Sequence, residues 1–178
     1  SVRDLKVLGQ GTGAPRATDL VRVLDGARRL AGTHVRQRAR FFHAYMRLPA
    51  VECAESDLCQ LVVSLLSLAA RSVADGMSEQ ADVRLEASDE GGHAHVVIRA
   101  QPSAGLVADA DTAEDTEILG AEHCLFAAQE MGGTLVARHS GDTLELTLRL
   151  PPARRTAAPS KANTGPTPVM SGPRRGRV

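Results

Sequence analysis

Tryptophan is absent from the chain, tyrosine occurs once and phenylalanine three times. A core must therefore be assembled from Leu, Val, Ile and Ala, without large aromatic anchors. Cysteine is scarce as well. Cys53, Cys59 and Cys124 make an odd number with no C-x-x-C spacing, which argues against a disulfide framework and a Cys-rich zinc site and points to a reducing, cytoplasmic setting. No stretch approaches the roughly 18 uninterrupted apolar residues that a bilayer span requires, and no secretory signal opens the chain. Net charge is missing too, with Lys+Arg 21 against Asp+Glu 21. That balance conceals an asymmetry. Arg154, Arg155, Lys161, Arg174, Arg175 and Arg177 lie in residues 153–178, which hold no acid, so residues 1–152 keep 15 of the 21 basic groups against all 21 acids. An acidic body is a poor partner for nucleic acid, whereas the basic tail suits an acidic surface.

Against these absences one stretch stands out. Residues 57–75, DLCQLVVSLLSLAARSVAD, are dominated by Leu, Val and Ala between Leu58 and Val73 and contain no Gly or Pro, which predicts a buried helix rather than a strand. At about 100° per residue, Gln60, Ser64, Ser67 and Arg71 fall within roughly 60° of one another and form a narrow polar stripe on an apolar cylinder. Such a stripe faces water, neighbouring loops or a ligand pocket.

Around this helix the pattern alternates. Thr18 or Asp19 is placed to cap a helix over residues 20–35, with Leu20, Val23, Leu24, Ala27, Leu30 and Ala31 inward and Arg22, Arg28, Arg29 and Arg36 outward or flanking. Residues 39–47 carry Phe41, Phe42 and Tyr45, end at Leu48-Pro49 and read as a strand, after which Ser56 or Asp57 is the expected cap of the core helix. Residues 81–88 and 93–100 form a hairpin around Asp89-Glu90-Gly91-Gly92, the glycines supplying the positive φ of the turn. Residues 118–151 read as a helix, a Gly-Gly stop, a strand, a Ser-Gly-Asp turn and a second strand. His93 and His95 share a strand face and His123 adjoins Cys124, but spacing supplies no third ligand to either pair, and no metal site is expected. Residues 9–15, GQGTGAP, have neither a strand before them nor Lys-Ser/Thr after them, so they read as a linker rather than a phosphate loop.

These motifs together resemble the ATP-binding catalytic (HATPase) domain of sensor histidine kinases, a branch of the GHKL superfamily. The family's N-box, N-L-L-x-N-A-x-x-A, is matched by Ser64-Leu65-Leu66-Ser67-Leu68-Ala69-Ala70-Arg71-Ser72, with both asparagines replaced. Its first glycine box, D-x-G-x-G, aligns with Gln101-Pro102-Ser103-Ala104-Gly105, and its second, G-x-G-L-G-L, with Thr116-Glu117-Ile118-Leu119-Gly120-Ala121. The helix that follows ends in Met131-Gly132-Gly133, as the family's ends in H-G-G, and the closing hairpin runs to a family-like LRLP at residues 148–151. The resemblance covers most of residues 19–151.

The resemblance implies an α/β sandwich, a mixed or antiparallel sheet of about five strands covered on one face by about three helices. It divides the chain into a truncated dimerisation-type helix and linker (residues 1–17), the HATPase-like domain (18–152) and a disordered, basic, Pro-rich tail (153–178). It implies ATP and Mg2+ as cofactors, with Gln60, Ser64, Ser67, Arg71, Gln101, Gly105 and Gly120 as the degenerate nucleotide site. Its partners would be a response regulator or kinase, and a second copy joined through upstream helices. The departures bear on three tasks: adenine recognition at Gln101, magnesium coordination at Leu68 and phosphate wrapping at Thr116 and Ile118. An acidic stretch, with Asp109, Asp111, Glu114, Asp115 and Glu117, stands where the ATP lid would be. No histidine lies in an H-E-L/I-x-N-P context, so no catalytic residue is assigned. The expectation is weakened or lost nucleotide binding without autonomous kinase activity; the alternative is a non-enzymatic docking or regulatory module.

Overall fold

The computed structural model describes residues 17–73, 76, 78–103 and 121–154. In chain order these form β1 (Ala17–Thr18), α1 (Leu20–Arg38), β2 (Arg40–Tyr45), β3 (Val51–Glu52), α2 (Glu55–Ser72), β4 (Ala81–Glu90), β5 (His93–Pro102), α3 (Glu122–Glu130), β6 (Thr134–Ser140) and β7 (Thr143–Leu150). The expectations for the opening helix and linker, the acidic stretch with Gly105 and Gly120, and the tail from residue 155 onward fall outside the described residues.

Five strands make one sheet in the order β2-β4-β5-β7-β6, and β1 and β3 form a separate two-stranded ribbon. The neighbours β4-β5, β5-β7 and β7-β6 are antiparallel, the first and last of these joined by tight hairpins. The edge pair β2-β4 is parallel, with α2 in the crossover that parallel strands require. Period-2 alternation sends Val83, Leu85 and Ala87 of β4, Val96, Ile98 and Ala100 of β5, and Leu144, Leu146, Leu148 and Leu150 of β7 to the buried face. The helices cover that face, giving the expected two-layer α/β sandwich. On the opposite face the sheet carries polar rows, including Arg99 paired to Glu145 at 2.6 Å and a buried Asp82 that accepts from Arg40 and Ser103.

With so few aromatics the helix layer closes by small-residue contact. Ala27 and Ala31 of α1 and Ala69 and Ala70 of α2 are all buried, and a Cβ at Gly26 would already reach the Cys59 sulfur at 4.0 Å. Asp19 caps α1 by accepting from the Val21 N–H at 3.1 Å, as its position before an apolar stripe predicts. Thr18 instead donates its hydroxyl to the Cys53 carbonyl at 2.8 Å, tying β1 to the entrance of α2. Both Gly91 and Gly92 take positive φ, 62° and 87°, which the two-residue β4-β5 turn needs.

Two expectations are corrected. Leu30 is 72% exposed, because it lies at the margin of the α1 stripe, about 80° from the direction shared by Leu20, Ala27 and Ala31. Neither Ser56 nor Asp57 caps the core helix. β3 and the Thr18 bond hold the chain through Cys53, so the helix starts at Glu55, with Ala54 at the cap position and no side-chain cap bond. Glu55 and Asp57 fall in its first turn, where their charge still complements the amino-terminal dipole.

Candidate functional site

The apolar sequence of α2 sets its orientation. Leu58, Val62, Leu65, Leu66 and Ala69 are buried between α1 and the sheet, and the polar stripe is left facing outward toward α3. A cavity of about 930 Å³ opens beside the amino-terminal half of α2. Gln60 and Ser64 line one wall, and His123, Cys124, Ala127 and Glu130 of α3, with Met131 just after it, line the opposite wall. Glu52, Cys53, Ala54 and Asp57 close the end near the β1-β3 ribbon, and the chain leaving β7 contributes Pro151, Pro152 and Arg154.

α3 holds its wall in place through its stop. The N–H groups of Gly132 and Gly133 donate to the carbonyls of Gln129 and Ala128, each at 2.9 Å, and Gly132 adopts φ 74°, a left-handed helix end open to glycine. Gly133 leaves room for the closing strand, since a Cβ there would stand 2.5 Å from the Arg149 carbonyl oxygen. The glycines read from the sequence as a stop thus also set the spacing between α3 and β7.

The cavity is acidic and its thiols are quiet. Glu52, Asp57 and Glu130 carry negative charge into the lining against Arg154, beside His123. Burial pushes the Cys124 thiol up from its ordinary pKa, an effect that the charge of Arg71 partly offsets. Burial also pushes the Cys53 thiol up, with the Thr18 hydrogen bond acting the other way. Both sulfurs are neutral at pH 7 and poor nucleophiles. The His123 Nε2 lies 3.6 Å from the Cys124 sulfur, yet among the described residues no group of three His, Cys, Asp or Glu side chains is placed to hold a metal ion. His95, on the open sheet face, approaches Glu90 at 3.3 Å.

Of the five described residues among the seven read from the sequence as a degenerate nucleotide site, Gln60 and Ser64 line this cavity and Ser67, Arg71 and Gln101 do not. Ser67 turns its hydroxyl onto the Val63 carbonyl of its own helix at 2.9 Å. Arg71 is exposed near the far end of α2, within electrostatic reach of Cys124. Gln101 pairs in register with Asp82, two strand positions from Arg99, and alternation puts it on the sheet face opposite the helices. Gly105 and Gly120 lie outside the described residues. Leu68, where the family has its second asparagine, is 5% exposed.

Glu52, Asp57, His123, Glu130 and Arg154 did not emerge from the sequence as site residues. Their convergence depends on contacts between distant segments: the bridge between Val51 and Pro152, and the bond from the Ala153 N–H to the Ala50 carbonyl at 2.9 Å. The nearest local signal was the LRLP ending of the last strand, which marks where the chain turns toward the ribbon but not what it meets.

No sequence-family model and no curated protein matches the chain. Solved structures do match. The mycobacterial sensor histidine kinase MprB superposes with a TM-score of 0.58 at 19% identity, covering 76% of this chain and 97% of that one. The nucleotide-free catalytic domain of the histidine kinase ThkA gives a TM-score of 0.57 at 13% identity, over 77% of this chain and 96% of its own. The Acinetobacter baumannii histidine kinase AdeS gives 0.57 at 14% identity, over 84% and 76% respectively. At such identities the likeness is one of architecture, and it spans the sheet and helix layer described above. The chain has the fold of the sensor histidine kinase catalytic domain, a two-layer α/β sandwich.

Proposed function

We propose that residues 18–152 are a histidine-kinase-like ATP-binding (HATPase) scaffold of a two-component signalling system, with weakened or lost nucleotide binding and no autonomous kinase activity. One observation carries this reading: the space beside α2 opens at Gln60 and Ser64 among three carboxylates, while Leu68 is buried where a magnesium ligand would stand. Mg-ATP does not fit the described residues. Glu52, Asp57 and Glu130 repel a triphosphate, Leu68 offers no oxygen to a hard cation, and Gln101 faces away from the helix layer.

A scaffold without these contacts still presents a shaped surface. The similar ThkA forms a complex with the response regulator TrrA, which supports a response regulator or a partner kinase as the protein that this domain meets. Dimerisation through upstream helices and a cytoplasmic location belong to the same reading. A second reading, a purely non-enzymatic docking module, is favoured by Phe126 and Leu125, which stand 62% and 39% exposed on α3. Calorimetric titration with Mg-ATP and a non-hydrolysable analogue tests the proposal. The expected result is no saturation below about 1 mM. Saturable binding in the micromolar range overturns it.

A further inference from the structure

We infer that the acidic cavity between α2 and α3 is the seat of the chain's own basic carboxy-terminal segment, residues 155–178. The described chain already leads there. After β7, Pro152 bridges to Val51, the Ala153 N–H donates to the Ala50 carbonyl at 2.9 Å, and the Arg154 N–H donates to the Glu52 carboxylate at 3.1 Å. These contacts add the departing chain to the β1-β3 ribbon and place Arg154, the last described residue before the segment, at the cavity wall, which Pro151 and Pro152 also help to build.

Charge completes the case. Residues 155–178 hold Arg155, Lys161, Arg174, Arg175 and Arg177 and no acid. The lining opposes them with Glu52, Asp57 and Glu130, and the apolar surface of Leu61, Ala127 and Met131 suits the Pro-rich and Val169-Met170 portions of the segment. Fully extended, the segment reaches up to about 80 Å, so its length does not restrict it. Tethering holds its effective concentration near the millimolar range, where a contact too weak to detect between separate molecules becomes substantially occupied. The consequence is an internal occupant that competes with any basic segment of a partner for the same wall, and that ionic strength releases.

This inference rests on the reading of the cavity as a protein-facing pocket rather than a nucleotide site. NMR relaxation on the uniformly labelled full chain tests both. At low salt the amides of residues 155–178 are expected to be restrained, and about 0.5 M salt should free them by screening. Free, fast-moving tail amides at low salt overturn the inference, as does a restrained tail whose contacts map to the open sheet face. Two variants check the charge argument. E52Q/E130Q alters the wall, and R174Q/R175Q/R177Q alters only the tail, leaving the folded body untouched. Each is expected to lower the ratio of bound to free tail by roughly fivefold or more, and an unchanged ratio in both overturns the inference. Adding Mg-ATP separates the two readings. If Mg-ATP binds and expels the tail, the reading of the cavity as protein-facing falls and the inference falls with it; if the low-salt tail is free while Mg-ATP still does not bind, the inference alone falls and that reading stands.

Discussion

The two flanks of α2 differ in kind. Toward α1 and the sheet, the helix is closed by Leu58, Val62, Leu65, Leu66 and Ala69, all fully buried, against alanines and the glycine of a neighbouring helix. Toward α3, the same helix shows Gln60 and Ser64 to a cavity of about 930 Å³. The closed flank follows the pattern of the histidine kinase fold although sequence identity to its solved members is 19% or less in the three superpositions above. On the open flank the described lining is Gln60 and Ser64 among carboxylates, and under the proposed reading the residue types of nucleotide chemistry have been exchanged there. Packing of small and branched apolar side chains constrains volume and face, and many sequences satisfy it. A metal ligand or an adenine acceptor constrains one atom, and a single substitution removes it. Fold and site therefore separate along this one helix.

The largest expected effect lies on the closed flank. Leu66→Ala removes a fully buried side chain from the centre of the core and should cost about 2–5 kcal/mol of stability in urea denaturation. A loss below about 1 kcal/mol would show that the helix layer rearranges around the hole and that the flank is less closed than its burial indicates. Next comes the hinge between the flanks. Gly133→Ala drives a Cβ into the Arg149 carbonyl and close to a Leu150 methyl at 3.0 Å, so α3 and β7 must move apart. A loss of about 1–3 kcal/mol is expected, with broadening of α3 resonances that Leu66→Ala would not share. Gly133→Ala with unchanged stability would mean that the α3 wall is not fixed by its glycine stop.

Much of the closed flank was legible beforehand because its signals are local and periodic. The 3.6-residue spacing of Leu and Ala gave α1 and α2, the Gly91-Gly92 pair gave the hairpin, and Met131-Gly132-Gly133 gave the end of α3. Errors there were marginal, at Leu30 on the edge of a stripe and at a cap that Thr18 settled from 35 residues away. The open flank was legible only as a stripe. Gln60 and Ser64 were identified on it, whereas Glu52, Glu130 and Arg154 are brought to the cavity by a bridge between residues 51 and 152, a separation that no window of sequence spans. Gln101 shows the opposite limit of sequence reading. Alignment to a motif gave it a role, but pairing with Asp82 fixes its parity on the sheet, and parity decides which face a side chain serves.

Substitutions on the open flank should sharpen the contrast by doing little to the fold. Gln60→Ala and Glu130→Gln alter exposed side chains outside the buried core cluster, so thermal denaturation should place each within about 0.5 kcal/mol of the parent chain. Their effect should be read in binding instead. If Gln60→Ala destabilised the protein by as much as Leu66→Ala, the stripe would be structural and the division of α2 into two flanks would fail.

At the outer margin of the closed side a single phenol gives the finest test, because the absence of Trp and of any second Tyr makes its ultraviolet signal unambiguous. Tyr45 lies at the end of β2, its ring 5.4 Å from that of His43, with its hydroxyl buried and without a hydrogen-bond partner. Burial first, and then the negative charge of Asp25, push its pKa from 10.0 up to about 12, while Arg28 pulls the other way. A folded-state pKa above the unfolded one means that the neutral phenol is favoured in the native protein. The contribution of Tyr45 to stability is therefore complete below pH 10 and declines as pH rises through 12. Absorbance near 295 nm should show phenolate forming about two units later in the native chain than in urea. Replacing Asp25 by Asn should bring the native midpoint down, and replacing Arg28 by Gln should send it further up. A native midpoint at 10 would mean that water reaches the phenol and that the closed flank ends before β2. Tyr45→Phe should leave stability within about 1 kcal/mol of the parent value, because Asp25 and Arg28 act on the hydroxyl in opposite senses and neither meets it in hydrogen-bond geometry.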